Sequence, residues 1–220
     1  MFSATFAPRI QQLAMRVMHD GGSSVQKVTI DSPQEKHANI KQMLYWADNA
    51  QHKRKMLDHW LRDTTINQAI VFASTQVECD GLANDLQQEG FSAVALHGAL
   101  SQGLRNRRLM ALRAGQVQIL VATDVAARGI DVPTITHVFN FGLPMKAEDY
   151  THRIGRTGRA RKQGASYLFY TKEEQKRVDQ LLRLTRNTDD CKSVKFDFNH
   201  EHLKIEDTAP ADKFQIKAYF

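Results

Sequence analysis

Ile119-Leu120-Val121-Ala122-Thr123-Asp124 decides the fold. Four apolar residues stand in a row with no polar alternation, the pattern of a strand covered on both faces of its sheet. Threonine and aspartate follow at once, and both are good helix caps. A strand buried on both sides needs helices above and below it, so the neighbourhood should repeat the same unit. Ala69 to Ala73 is a second short apolar strand and Ala93 to Leu96 a third. Between them run helical stretches of about 75–89 and 101–114, which stop at Gly90 and Gly115. Further out, residues 41–46, 136–141 and 165–170 read as strands. Residues 48–62, 146–156 and 172–186 read as helices, the first with Met56, Leu57, Trp60 and Leu61 as its apolar set. Strands alternating with helices over this length predict an α/β fold with a parallel sheet and helices on both faces. In such sheets ligands bind beyond the carboxyl ends of the strands. Here those ends carry Ser74-Thr75, His97-Gly98, Thr123-Asp124 and the Gly142-Leu143-Pro144 turn.

The flanks differ. Residues 1–30 read as a helix running from Pro8 to Gly21-Gly22, then a strand from Val25 to Ile30, a piece too small to fold alone. Residues 31–40 are polar, contain Pro33 and read as a linker. Residues 187–220 mix acids, bases and isolated aromatics without a period, and fit either a partly ordered appendage or an extension across the surface. The formal charge of +6 favours a polyanionic partner, nucleic acid or nucleotide. The two cysteines, Cys79 and Cys191, form no metal or disulfide pattern, which fits a reducing, cytoplasmic setting. No apolar run approaches a membrane span, and no metal site is expected.

His152-Arg153-Ile154-Gly155-Arg156-Thr157-Gly158-Arg159 places three arginines at intervals of three residues. Such spacing turns side chains to one side of a helical turn, and crowded guanidiniums call for an anion between them. A solvated basic helix end is the plainer alternative. Thr123 to Asp131 adds a second acid beyond Arg128-Gly129, and a carboxylate in such a turn can accept from ribose hydroxyls. Ser101-Gln102-Gly103-Leu104-Arg105 opens a helix with Arg107-Arg108 after it, fit either for phosphate or for solvent. His97 is expected to be a packed histidine rather than a catalyst.

Ser3-Ala4-Thr5, Ile70 to Thr75, Gln102 to Arg105, Val121 to Asp131 and His152 to Arg159 occur in the order of the later motifs of DEAD-box RNA helicases. The chain resembles that family over roughly residues 1–185. The resemblance implies a RecA-like three-layer sandwich with a mostly parallel sheet over residues 41–186. It implies the carboxyl end of a first RecA-like domain over 1–30, an interdomain linker over 31–40 and a C-terminal extension over 187–220. It implies RNA-backbone contacts from Thr75, Gly98, Gln102, Arg105 and Thr123. The ribose of ATP would fall to Asp131 beside Gly129, and arginine fingers to Arg156 and Arg159 as catalytic groups. Coupling between domains would involve Ser3, Thr5, Arg128, His152 and Arg153. The implied activity is RNA-stimulated ATP hydrolysis driving duplex unwinding or remodelling of RNA–protein complexes.

The sequence contains no GxxxxGK[ST] loop and no Asp-Glu-Ala-Asp run, so ATP with Mg²⁺ is expected to be held mainly by the first domain, and this chain alone to be inactive. Ala99 replaces the family's acid after His97-Gly98, and Gly103 and Leu104 stand where acidic or polar residues are usual. The rival readings are a non-catalytic RNA-binding module and a DNA-directed helicase of the same architecture.

Overall fold

The computed structural model describes residues 12, 16, 17, 39–158, 162–187 and 200–202. The chain divides into two units, Met1–Ser32 and Pro33–Phe220. In the first, positions 12, 16 and 17 are helical. Ser3, Thr5, the strand expected at Val25 to Ile30 and most of the linker lie outside the described residues, as does Arg159.

The second unit runs β1 (Ile40–Ala47), α1 (Ala50–Leu61), β2 (Gln68–Phe72), α2 (Gln76–Gln88), β3 (Ala93–Leu96), α3 (Gln102–Arg113), β4 (Ile119–Ala122) and α4 (Asp124–Ala127). It continues with β5 (Ile135–Asn140), α5 (Ala147–Ile154), β6 (Gly164–Thr171), α6 (Gln175–Asn187) and β7 (His200–His202). The strands form one sheet in the order β3-β4-β2-β5-β6-β1-β7, and every pairing is parallel. The sequence leaves the tail undecided. Its residues 200–202 add a short strand alongside Leu44 to Trp46 of β1. The one-turn helix α4 reads in sequence only as a capped turn.

Alternate residues of the central strands point to opposite faces, and both faces are apolar. Ala69, Val71, Ala95 and Val121 pack under α1 and α2, through Met56, Leu57, Cys79, Leu82 and Leu86. Ile70, Phe72, Leu96, Leu120 and Ala122 face the other way, against Leu112 of α3 and Ala126 and Ala127 of α4. On that same side Leu44, Leu168 and Tyr170 meet Tyr150 and Ile154 of α5 and Val178 and Leu181 of α6. Two-sided burial is why β2 and β4 read as continuous apolar runs. Each fully buried Leu, Ile or Phe is worth about 1.5–3 kcal/mol, so the sheet is the rigid part of the unit.

The two helices that flank β3 carry opposite charge. α2 holds Glu78, Asp80 and Asp85 with no Lys or Arg, whereas α3 holds Arg105, Arg107, Arg108 and Arg113 with no acid. Among the described residues no helix is long and apolar enough to cross a membrane.

Candidate functional site

Register sets the site. Leu96 of β3, Ala122 of β4, Phe72 of β2 and Asn140 of β5 are paired neighbours, so four strands end level and their next residues form one rim. Thr75 stands on this rim as the N-cap of α2, its Oγ1 accepting from the Glu78 N–H at 3.1 Å. Thr123 occupies the corresponding position before α4, yet its side chain makes no capping bond. Gly98 is exposed just beyond β3. His97 beside it is 3% exposed, with Nε2 2.9 Å from the Asp80 carboxylate, the packed histidine that the sequence suggests.

α3 starts from the same rim. Ser101 caps it by accepting from the Leu104 N–H at 3.3 Å. The exposed Gln102 amide donates to Asn106 at 2.9 Å. Arg105 is half-buried, and its Nε is shielded from solvent with no hydrogen-bond partner among the described residues. A guanidinium donor withdrawn from water without a partner carries a desolvation cost that an incoming phosphate oxygen would relieve.

On the other flank the arginines of His152 to Arg159 part ways. Arg153, to which the resemblance implies a part in interdomain coupling, lies inside this unit. It is 1% exposed and turned into the sheet ends, where Nε and Nη2 grip the two oxygens of Asp124 at 2.5 and 2.7 Å. Nη1 donates to the Gly142 carbonyl at 2.5 Å and lies 3.4 Å from Asn140 Oδ1, and the guanidinium sits 4.7 Å from the centre of the Phe72 ring. A charge this buried is held by a bidentate carboxylate and a carbonyl, and moving it outward would strand Asp124. Arg153 thus fastens α5 to the ends of β2, β4 and β5.

Arg156 remains at the surface side. Its Nε donates to the His152 carbonyl at 3.0 Å and Nη1 to the Ile130 carbonyl at 2.8 Å, which holds the guanidinium one residue from Asp131. Asp131 is exposed, and Gly129 before it adopts φ 75°, a conformation that a side chain would strain. Arg128 is 67% exposed in its side chain and stands 3.7 Å from Asp149 of α5. His152 is exposed.

The structure therefore brings Thr75, Gly98, Gln102, Arg105 and Thr123 to one rim, and Gly129, Asp131 and Arg156 to its neighbouring turn. Sequence reasoning missed Asn140 and the reach of Asp124. A polar residue at the end of a strand, directly after Val138 and Phe139, was the one available signal for Asn140. A cleft of about 430 Å³ lies further along, lined by Asp48, Lys53, Glu78, Phe141, Glu173 and Glu174 among others. Its carboxylates outnumber its lysine, the wrong sign for phosphate. Among the described residues no group of three His, Cys, Asp or Glu could hold a metal ion. Cys79 is a free thiol beneath the rim, with burial pushing its pKa up to about 11.

Residues 52–161 match the helicase conserved C-terminal domain. The crystal structure of E. coli DEAD-box protein SrmB, bound to regulator of ribonuclease activity A, is 36% identical. It covers 76% of this chain and 91% of that one at a TM-score of 0.64. The chain belongs to the DEAD-box RNA helicases. Its fold is the RecA-like sandwich of their C-terminal domain. The ATP-dependent RNA helicase RhlB of Aliivibrio fischeri is 40% identical over 173 residues, 79% of this chain and 39% of RhlB. S. cerevisiae Dbp5 bound to RNA and ADP BeF3 matches at a TM-score of 0.69 and 27% identity, over 91% of this chain and 50% of Dbp5. The DEAD-box sequence described here thus spans about two fifths of the length of its curated relative RhlB.

Proposed function

We propose that this chain is the RNA-gripping, arginine-supplying half of an ATP-dependent RNA helicase. The observation that carries the reading is the level rim. Residues from three strand ends and the start of α3 line up there, with an unspent Arg105 donor and an uncapping Thr123 hydroxyl among them. Contacts of this kind, from hydroxyls, backbone amides and guanidinium, grip a sugar-phosphate backbone and leave base edges unread. RNA rather than DNA is the proposed substrate, because the relatives RhlB and SrmB are named ATP-dependent RNA helicases.

In this reading Asp131 accepts from the ribose of ATP, while Arg156 and Arg159 reach its γ-phosphate once a first RecA-like domain closes on this one. Arg156 suits that role because two carbonyls already aim its guanidinium, so little ordering remains to be done at closure. Charge stabilisation by such an arginine is worth on the order of 10³–10⁵ in phosphoryl-transfer rate. Mg²⁺ and the grip on the triphosphate fall to the first domain, whose carboxyl end would be residues 1–30, joined by a linker over 31–40. Ser3, Thr5, Arg128 and His152 would carry coupling between the two, and Arg153 would support it by holding α5 in place. The extension at 187–220 follows the domain. The free, buried Cys79 supports a cytoplasmic setting.

The test is Arg156→Ala in a helicase carrying both domains. RNA-stimulated phosphate release should fall by about 10³ or more, with ATP binding falling far less. Equal losses of binding and turnover would sink the finger role. The 220-residue chain alone should release no phosphate from ATP.

A further inference from the structure

Between Glu89 and Asp124 the chain contains no acidic residue, yet four arginines fall within α3. Their side chains have different fates. Arg108 is half-buried and donates to the Ala95 carbonyl at 2.5 Å, pinning the helix to edge strand β3. Arg105 belongs to the rim. Arg107 and Arg113 are exposed, and among the described residues neither makes a hydrogen bond or an ion pair. Other basic groups of the unit are neutralised: Arg54 by Asp58 and Glu89, Lys53 by Glu174, Arg153 by Asp124.

At 100° per residue Asn106, Arg107, Met110 and Arg113 share one stripe of the helix, all four exposed, with Met110 at 66% between the two arginines. The stripe starts at the rim beside Gln102 and runs away from it. From Gln102 to Arg113 the helix rises about 16 Å, well past the span of one backbone contact. Two unpaired guanidiniums separated by a flexible thioether form a track for phosphates, with Met110 free to lie against a sugar or base.

We propose that this stripe is a second stretch of RNA-binding surface, which holds the phosphates of nucleotides lying beyond those gripped at the rim. It rests on the reading that the rim binds RNA. The partner is a flexible single strand, whose phosphates can follow a straight row of guanidiniums while its bases stay free to turn away.

The test uses the 220-residue chain and the double variant Arg107→Gln/Arg113→Gln, exposed changes that keep helix propensity. Binding to unstructured RNAs of about 6 and about 14 nucleotides is followed by fluorescence anisotropy. Salt is varied between about 50 and 200 mM. For the longer RNA, loss of two single-strand phosphate contacts should flatten the slope of log K against log[salt] by about 1.4, and weaken binding by about an order of magnitude near 100 mM. The shorter RNA should bind both proteins equally, whereas Arg105→Ala should weaken both lengths. An unchanged slope on the longer RNA overturns the proposal, and leaves the stripe a solvated helix face or a dock for an acidic protein. Equal weakening on both lengths overturns it too, by assigning the arginines to the rim. If the unaltered chain binds neither RNA, the rim reading falls and the extension with it.

Discussion

Arg153→Ala isolates the keystone of the rim. The side chain is 1% exposed and makes a two-point ion pair with Asp124, a bond to the buried Gly142 carbonyl and a ring contact with Phe72. Removing one partner of a buried pair costs about 3–5 kcal/mol, because the other charge stays behind. An orphaned buried carbonyl adds about 1–3 kcal/mol, though the terms overlap, so roughly 4 kcal/mol is the expected loss. For a unit of this size that is about 8–16 °C in Tm. Against a whole-domain stability of about 5–15 kcal/mol it leaves the fold marginal. Urea melts followed by circular dichroism would measure it, and Asp124→Ala with the double variant would complete a cycle. The two single losses should add up to about 2 kcal/mol more than the double variant loses. Arg153→Lys should also destabilise, since one ammonium cannot span carboxylate and carbonyl together. A loss under about 1 kcal/mol for Arg153→Ala would refute the keystone role.

Two glycines should respond in opposite directions. A Cβ on Gly142 would lie 2.5 Å from the Ser74 backbone nitrogen, so Gly142→Ala should cost about 1–3 kcal/mol in urea denaturation; a neutral result would contradict the close approach. Gly81 lies inside α2, where an added methyl would meet nothing within 4 Å, so Gly81→Ala should stabilise by roughly 0.5–1 kcal/mol in the same melts. Burial also lowers the pKa of His59 and His137, with Asp63 opposing it. Both are therefore neutral in the folded state at pH values where the unfolded chain begins to protonate, near 6.5. Their contribution is complete above about pH 6.5 and is lost as pH falls through the lowered folded values. Tm should drop as pH falls below about 6.5, and less so in His59→Gln/His137→Gln. A Tm of the unaltered chain that stays flat over that fall would contradict this.

The central strands were legible because burial on both faces leaves no alternation to interpret. Ile119–Ala122 stands where the sequence put it, and so does the edge strand Ala93–Leu96. β2 begins one residue earlier than its apolar run, at Gln68, a polar residue that sequence excludes from a core. It is buried because its amide donates to the Leu112 and Val117 carbonyls at 2.6 and 2.7 Å, partners 44 and 49 positions away. β7 was illegible for a similar reason: three residues become a strand only because β1 offers an edge. The rim followed from chain direction alone. What it does chemically did not. Nothing local distinguishes Arg153 from Arg156, and only the meeting of Asp124 with α5, 29 positions on, turns one inward and leaves the other near Asp131.

The opposite charges of α2 and α3 sit on opposite sides of one rigid sheet. The unit is therefore polarised across its thickness. A polyanion at a distance exerts a torque on such a body, turning the arginine side toward it and the carboxylate side away before any contact forms. Wrong-face collisions are repelled early, and capture should quicken as ionic strength falls.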